Sequence, residues 1–202
     1  MEVMGIDVSK WQGIIDFNRI DKNKVKFAII KMGGNNLGEY MDSRYRRNYT
    51  GFEKIAIPTG AYYYLGSDFT VPDTVRHMLT LLSDTKFAYP IYLDVEETRP
   101  AEKMGVTEKL LKIGDALEAC GYFVGIYGSD IATFRDRVDL DKLRRFSLWV
   151  ARYGANPSYV NHYSMWQSNN DAHVSGITGE VDINYAYEDF PRIIKGGHYN
   201  GY

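Results

Sequence analysis

Two acidic residues, two positions apart, interrupt the apolar segment PIYLDVEET at residues 90–98. Side chains alternate across a strand, so Asp94 and Glu96 are expected on one face, together with Tyr92. Burying two carboxylates costs free energy unless they are paired, hydrogen-bonded or open to a solvated cleft. The segment therefore predicts a strand whose end carries two carboxyl groups into a cleft.

Paired carboxyl groups of this kind suit acid–base chemistry. Like charges that lie close together raise the pKa of at least one group, so one carboxyl stays protonated while the other is ionised. Glycoside hydrolysis needs such a pair, because one carboxyl protonates the leaving oxygen while the other activates water, attacks, or stabilises positive charge. The spacing does not decide between retaining and inverting reactions, since side-chain freedom exceeds the difference between the two geometries.

Two further acids, Asp7 and Asp182, stand near the ends of the first and last predicted strands. In a closed barrel of parallel strands, the carboxyl ends of the strands face one mouth. The first and last strands are neighbours there, so these two acids would meet, with Asp94 and Glu96 across the mouth. The sequence assigns no lysine or arginine clearly to neutralise the four acids. Their alternative roles are local turns, or a Ca²⁺ or Mg²⁺ site with oxygen ligands.

Strand-like and helix-like segments alternate along the chain, which predicts an α/β fold with a parallel sheet. Eight strands are predicted, with helices at 42–55, 71–82 and 106–119 and only loops between the last three strands. Eight strands in 202 residues favour a closed barrel whose later helices are missing or shortened. An open doubly wound sheet is the alternative, but the first strand lacks a GxGxxG turn.

Composition indicates a globular protein and argues against several classes of partner. A net charge of −2 without a basic cluster gives no electrostatic case for nucleic acid or an anionic membrane. No apolar stretch reaches the ~18 residues of a membrane span, and no signal peptide is visible at the N-terminus. Cys120 is the single cysteine, and the four histidines lack the spacing of a zinc site. No metal and no organic cofactor are predicted.

Five motifs occur in an order that resembles the catalytic domains of glycoside hydrolase family 25 lysozymes. They are, along the chain, GIDVSKWQG, YLDVEE, LWVARYG, MWQ and GEVDIN. Each is weak alone, but their joint order and spacing extend over nearly the whole chain. The resemblance implies an irregular TIM-like barrel of five β/α units followed by three strands with little helix. It also implies cleavage of the β-1,4 bond between N-acetylmuramic acid and N-acetylglucosamine in peptidoglycan, without a cofactor.

The resemblance also implies roles for the four acids. Glu96 matches the general acid/base of the family. Asp94 matches the acid that positions or stabilises the acetamido group of the substrate or supports the reacting sugar. Asp7 and Asp182 match the flanking acids of the same mouth, and their division of labour is left open.

The motif of the third strand departs from the family, which often has a histidine in a form like GAYHF. This chain has Tyr63 there, within GAYYYLGS. Strand alternation places Tyr62 and Tyr64 on one face and Tyr63 on the other. Tyr62 is therefore predicted to bind sugar, while Tyr63 packs.

Three more side chains are candidates for binding the sugar, each against the alternative of ordinary packing in the barrel. Tyr127 ends the fifth predicted strand, and its ring could stack on a sugar or its hydroxyl could bond to one. Trp149 lies where the family places a cleft aromatic, and Gln167 offers an amide for an acetamido group. Trp11 is predicted to pack under the first loop.

Residues 1–195 are predicted to form the catalytic barrel, and the Gly-rich residues 196–202 a tail or the start of a linker. The absence of a visible signal peptide predicts an endolysin made in the host cytoplasm and released at lysis, or otherwise a secreted enzyme. The near-neutral charge predicts a separate wall-binding module beyond the tail. The alternatives are a non-catalytic wall-binding barrel and a hydrolase of another N-acetylhexosamine polymer such as chitin.

Overall fold

The computed structural model describes residues 2–202, so Met1, the first residue of the predicted barrel, lies outside it. This part of the chain contains nine strands: β1 (Val3–Val8), β2 (Ala28–Gly34), β3 (Tyr40–Met41), β4 (Thr59–Leu65), β5 (Ile91–Val95), β6 (Val124–Ser129), β7 (Ser147–Ala151), β8 (Met165–Ala172) and β9 (Val181–Ala186). The α-helices are α1 (Tyr45–Lys54), α2 (Val71–Leu82), α3 (Lys103–Ala119), α4 (Leu140–Leu143) and α5 (Phe190–Gly196). Short 3-10 helices occupy Lys10–Gln12, Phe17–Arg19 and Pro100–Glu102.

Eight of these strands close an irregular TIM-like barrel, as predicted. Their order is β1, β9, β8, β7, β6, β5, β4, β2, and β2 pairs again with β1. Neighbouring strands among β1, β2 and β4–β8 are parallel, whereas β9 runs antiparallel to both β8 and β1. The expectation that Asp182 ends a parallel strand is therefore wrong. It lies near the start of β9, and the reversed direction brings that start to the mouth.

The ninth strand, β3, was not predicted. It has two residues and pairs with the end of β2, through Gly33 with Met41 and Gly34 with Tyr40. The β1–β2 pairing ends before that point, at Val8 and Ile30. The short strand thus extends the barrel wall at the mouth.

The helices agree with the sequence where local capping signals are strong. The predicted helix at 71–82 is α2, and its Thr70 N-cap hydroxyl accepts a hydrogen bond from the Asp73 N–H. The last helix, α5, was missed although it carries the same kind of signal: Asp189 caps it and a proline follows in the first turn. No α-helix lies between β7 and β8 or between β8 and β9. No helix in residues 2–202 is long and apolar enough to cross a membrane.

The apolar core has two layers because strand side chains alternate. Outward-facing strand residues and helix residues share one buried cluster, which includes Val95 of β5 and Leu110 and Ile113 of α3. A second cluster fills the barrel and its lower end, and it is rich in aromatic rings, including Tyr92, Trp149 and Phe190. Side chains therefore fill the lower end of the barrel, and the candidate site lies at its upper end.

The segment after α5 packs beneath the barrel. Asn200 is fully buried; its side chain donates to the Tyr89 carbonyl (2.9 Å) and accepts from the Phe123 N–H (2.8 Å). Its own carbonyl accepts from the Phe87 N–H (3.2 Å). The predicted tail or linker from residue 196 thus begins at the end of α5 and, within the described residues, continues as a segment bonded to the barrel.

Candidate active site

A cavity of about 260 Å³ opens at the mouth of the barrel and contains all eight residues predicted for the site. Its lining comprises Asp7, Trp11, Lys31, Tyr62, Tyr64, Asp94, Glu96, Tyr127, Trp149, Tyr153, Gln167 and Asp182. A larger groove of about 730 Å³, around Trp166 and Tyr187 on the outer side of the barrel, contains none of the predicted residues. The smaller cavity is the candidate site because the titratable groups converge there.

Asp7 and Asp182 form one acidic pair at the mouth. They are directly paired across β1 and β9, as the sequence predicted. Asp7 is buried, and its Oδ2 accepts hydrogen bonds from the amides of Gln167 and Asn184, both at 2.8 Å. Burial raises the pKa of Asp7, and these two amides counter the rise. Burial, the charge of Asp7 and a hydrogen bond to Asp7 raise the pKa of Asp182 to about 8.

Asp94 and Glu96 form the second pair, at the end of β5. Asp94 is the penultimate residue of that strand and is only 3% exposed, whereas Glu96 follows the strand and is solvent-exposed. Burial and the neighbouring charge of Glu96 raise the pKa of Asp94 well above its ordinary value. Part of the Glu96 side chain is open to solvent, but the cavity walls displace water from around its carboxyl, which raises its pKa. The pair thus holds a proton more tightly than free carboxyls do.

One oxygen of Asp94 stands out from the rest of the site. Its Oδ1 is buried and accepts no hydrogen bond from residues 2–202. Most buried polar atoms in proteins have a hydrogen-bond partner. An oxygen of a cavity-lining residue that lacks one is suited to accept a hydrogen bond from a ligand.

Aromatic rings form the floor of the cavity. The Trp149 ring is buried against Tyr127, with centroids 4.3 Å apart, and meets Tyr62 edge-on at 6.1 Å. Its indole N–H donates to Asn184 Oδ1 at 2.8 Å. Because Asn184 also bonds Asp7, the floor and the first acidic pair are held by one hydrogen-bonded chain.

Both the nitrogen and the oxygen of the Gln167 amide make hydrogen bonds to other side chains of the protein. Its Nε2 donates to Asp7, and its Oε1 accepts from the hydroxyls of Tyr127 (2.7 Å) and Tyr153 (3.0 Å). This geometry orients Asp7, a role that the sequence did not indicate. Binding of an acetamido group by Gln167 stays a prediction.

Tyr62 and Tyr63 face opposite sides, as strand alternation requires. Tyr62 lines the cavity, whereas Tyr63 is buried outside the barrel and bonds through its hydroxyl to His77 Nδ1 on α2 (2.7 Å). The predicted packing of Trp11 is wrong, because its side chain is 77% exposed at the cavity rim. The short 3-10 helix at Lys10–Gln12 turns it outward.

Sequence reasoning missed several lining residues, of which Lys31 matters most. It sits inside the apolar run AIIKMGG of β2, and a charged residue inside such a run was a signal in itself. Burial lowers the pKa of its ammonium group, and the negative charges of Asp94, Asp42 and Glu96 counter that fall. The four acids therefore do have a cationic neighbour.

Comparisons with known proteins identify the family of the chain and its fold. The model of the family "Glycosyl hydrolases family 25" matches residues 6–177. "Lysozyme M1" of Streptomyces globisporus is 41% identical over 209 residues, covering 90% of this chain and 67% of that protein. "Autolytic lysozyme" of Clostridium acetobutylicum is 26% identical over 180 residues, covering 89% of this chain. The chain spans only 54% of the length of the Clostridium relative.

Solved structures with the same fold include a family 25 glycosyl hydrolase from Bacillus anthracis, with a TM-score of 0.81 at 23% identity over 96% of this chain and 92% of that one. The CTP1L endolysin has a TM-score of 0.79 at 24% identity, over 96% of this chain and 70% of that one. The modular autolysin LytC of Streptococcus pneumoniae, solved with a synthetic peptidoglycan ligand, has a TM-score of 0.79 at 23% identity. The alignment covers 92% of this chain and 47% of LytC.

Proposed function

The chain belongs to glycosyl hydrolase family 25, and on this premise we propose that it is a muramidase. The bond it hydrolyses is the β-1,4 linkage between N-acetylmuramic acid and N-acetylglucosamine in bacterial peptidoglycan. The observation that carries the proposal is the unequal acid pair at the end of β5, with Asp94 buried and Glu96 open to the cavity. Only Glu96 is placed to give a proton to a bound polysaccharide. Burial favours the neutral form of Asp94, so its ionised form depends on the nearby positive charge of Lys31.

In this mechanism Glu96 is the general acid. Its carboxyl is accessible to a bound polysaccharide, and its raised pKa keeps it protonated closer to neutral pH. It gives its proton to the glycosidic oxygen as the bond from that oxygen to C1 breaks, so the leaving sugar departs as an alcohol. Water supplies the new hydroxyl group at C1 and releases a proton to a carboxylate of the site.

Asp94 acts on the sugar that develops positive charge. Its open Oδ1 accepts a hydrogen bond from the acetamido N–H of that sugar, which fixes the ring above the aromatic floor. When ionised, the same carboxyl stabilises the charge on C1 and the ring oxygen. Asp7 and Asp182 complete the acidic wall, and the shared proton of that pair limits its negative charge.

The aromatic side chains hold the sugar in place. Tyr62 forms the surface on which the reacting ring rests, and the buried Trp149 ring supports it from behind. Tyr127 and Gln167 support this floor through their hydrogen bond to each other. Trp11 stands at the rim with a free face, and stacks on a sugar ring further along the strand.

The setting of the reaction is the bacterial cell wall. Residues 1–195 form the catalytic domain in this proposal, and residues 196–202 close its lower end. A C-terminal wall-binding module in the full-length protein is supported by the greater length of the relatives and by the modular autolysin that shares the fold. Such a module supplies the wall affinity that a net charge of −2 does not. Production in a phage host followed by release at lysis is supported by the endolysin among the structural neighbours.

The test incubates the protein separately with purified Gram-positive peptidoglycan and with chitin. New ends are reduced with borohydride and identified by mass spectrometry. Reduced muramic acid ends from peptidoglycan are expected. Reduced glucosamine ends from peptidoglycan would make the protein a glucosaminidase, and ends from chitin alone would assign another polymer. Binding to the wall without new ends would assign a non-catalytic barrel.

A further inference from the structure

Lys31 is the one basic side chain among the lining residues of the cavity in the part of the chain described. It belongs to β2 and lies beside Tyr62 of β4. The register between these strands shifts between Lys31 and Gly33, so Met32 forms a bulge. Bulges redirect neighbouring side chains and are frequent next to functional sites. The backbone of β2 is thus irregular at the residue that brings a positive charge to the acids.

Three tyrosine rings surround the ammonium group of Lys31. Its Nζ lies 4.3 Å from the ring centroid of Tyr64, 5.6 Å from that of Tyr62 and 5.9 Å from that of Tyr40. Ring faces attract a cation at these distances, and more strongly where water is excluded. The rings therefore fix the position of the ammonium group without neutralising its charge.

The charged groups that face Lys31 come from several elements. Burial lowers the pKa of Lys31 below its ordinary value, and the charge of Lys10, after β1, adds to the fall. The charges of Asp94 in β5, Glu96 just after it and Asp42 just after β3 oppose this fall. Asp42 already accepts hydrogen bonds from the backbone N–H groups of Lys10 and Arg44. These bonds stabilise the Asp42 carboxylate independently of Lys31. Arg137 as well as Lys31 lowers the pKa of Glu96, whereas Lys31 is the cation that lowers the pKa of Asp94.

The other acidic pair is arranged differently. Asp7 receives two side-chain amide N–H groups, from Gln167 and Asn184, and a hydrogen bond to Asp182. Uncharged amides and a shared proton stabilise that pair. Asp94 has no such donors at its Oδ1, so a nearby full charge is what favours an anion there.

We propose that Lys31 is a positioning residue whose charge keeps the Asp94–Glu96 pair singly protonated. One ammonium group beside two carboxyls that hold one proton between them makes a group of three side chains with zero net charge. Without the ammonium group, burial and mutual repulsion favour protonation of both carboxyls, and no anion remains to stabilise the reacting sugar. The inference rests on the proposed muramidase function, because it assigns the same acid pair.

The consequence is a shift of the pH–rate profile and not only a slower reaction. The charge of Lys31 lowers the pKa of both Asp94 and Glu96, so its removal raises both values. Both limbs of the profile then move to higher pH, by about one pH unit. Lys31→Met removes the charge at similar length, and Lys31→Arg keeps it. Lys112→Met is the matched control, since Lys112 is exposed on α3, outside the cavity.

The experiment records pH–rate profiles on peptidoglycan for wild type, Lys31→Met, Lys31→Arg and Lys112→Met. In parallel, the side-chain carboxyl ¹³C signal of Glu96, assigned by its loss in Glu96→Gln, is titrated by NMR. We expect both readouts to shift to higher pH in Lys31→Met, and to stay near the wild-type position in Lys31→Arg and Lys112→Met. Circular dichroism checks folding, and Lys31→Gln replaces Lys31→Met if the latter does not fold.

A profile that only falls in height would overturn the proposal, as would equal shifts in Lys31→Met and Lys31→Arg. An unshifted Glu96 titration in Lys31→Met would overturn it as well. If the wild type cleaves no peptidoglycan, the muramidase function fails, and the Glu96 titration still decides the role of Lys31.

Discussion

Asp182 lies directly opposite Asp7 across the antiparallel β1–β9 pair. The two residues come from opposite ends of the chain, and they meet at the mouth because β9 runs against the other barrel strands. Partial burial and the neighbouring carboxyl raise the pKa of Asp182 to about 8. Because the folded state disfavours the ionised form of Asp182, its ionisation should lower the free energy of unfolding.

Asp182→Asn should therefore stabilise the protein at high pH. A carboxyl whose pKa rises on folding favours the folded state at low pH, and that contribution is lost as pH rises from its ordinary value of 3.8 to about 8. We expect the substitution to raise the Tm at about pH 8 by about 2–4 °C, equivalent to ~1 kcal/mol, and to change it little at about pH 4. Thermal unfolding followed by circular dichroism measures this. A lower Tm at high pH would contradict it.

Tyr63→Phe should affect stability and not catalysis. The hydroxyl of Tyr63 bonds to His77 outside the barrel, so its loss should cost about 0.5–1.5 kcal/mol of unfolding free energy. Tyr62→Leu, one position earlier, should reduce the rate of peptidoglycan cleavage because Tyr62 lines the cavity. Urea unfolding and reducing-end assays on both variants separate the two effects. A rate loss in Tyr63→Phe as large as that in Tyr62→Leu would contradict the assignment of Tyr62 to the cavity and of Tyr63 to the outer face of the barrel.

Trp11→Ala should weaken substrate binding without destabilising the fold. The side chain is 77% exposed, so the Tm should stay near that of the wild type. Loss of a stacking surface worth about 0.5–1.5 kcal/mol should raise KM roughly twofold to tenfold. Ile14→Ala is the control, because Ile14 is 66% exposed on the same loop but does not line the cavity. Equal KM values in the two variants would show that Trp11 does not contribute to substrate binding.

Asn200→Ala should destabilise the whole barrel. The substitution leaves the buried Tyr89 carbonyl and Phe123 N–H without their side-chain partner. Each such loss costs about 1–3 kcal/mol, so we expect about 2–6 kcal/mol in total. Chemical denaturation measures the change. An unchanged midpoint would mean that residues after α5 do not support the barrel.

Much of the fold could be predicted from the sequence, because alternation and capping are local signals. Strand alternation separates Tyr62 from Tyr63, and the Thr70 cap with its following proline defines the start of α2. The meeting of Asp7 and Asp182 follows from closure of the barrel, since closure makes the first and last strands neighbours.

Other features depend on tertiary structure that local patterns do not contain. The direction of β9 depends on how the loop after β8 turns, and either direction keeps the same alternation. Lys31 could be recognised as unusual in an apolar strand, but its reach toward Asp94 depends on the bulge at Met32. The exposure of Trp11 depends on its 3-10 helix, where Ser9 and Gln12 cap each other and project the indole outward.

The most direct measurement compares Glu96→Gln with the wild type in release of reducing ends from purified peptidoglycan, with circular dichroism as the check on folding. Glutamine keeps the shape of the side chain but has no acidic proton to donate. We expect the variant to fold normally and the rate to fall by about 10²–10⁴-fold, the usual contribution of a positioned general acid. A folded Glu96→Gln protein that releases reducing ends at the wild-type rate would contradict the proposed mechanism.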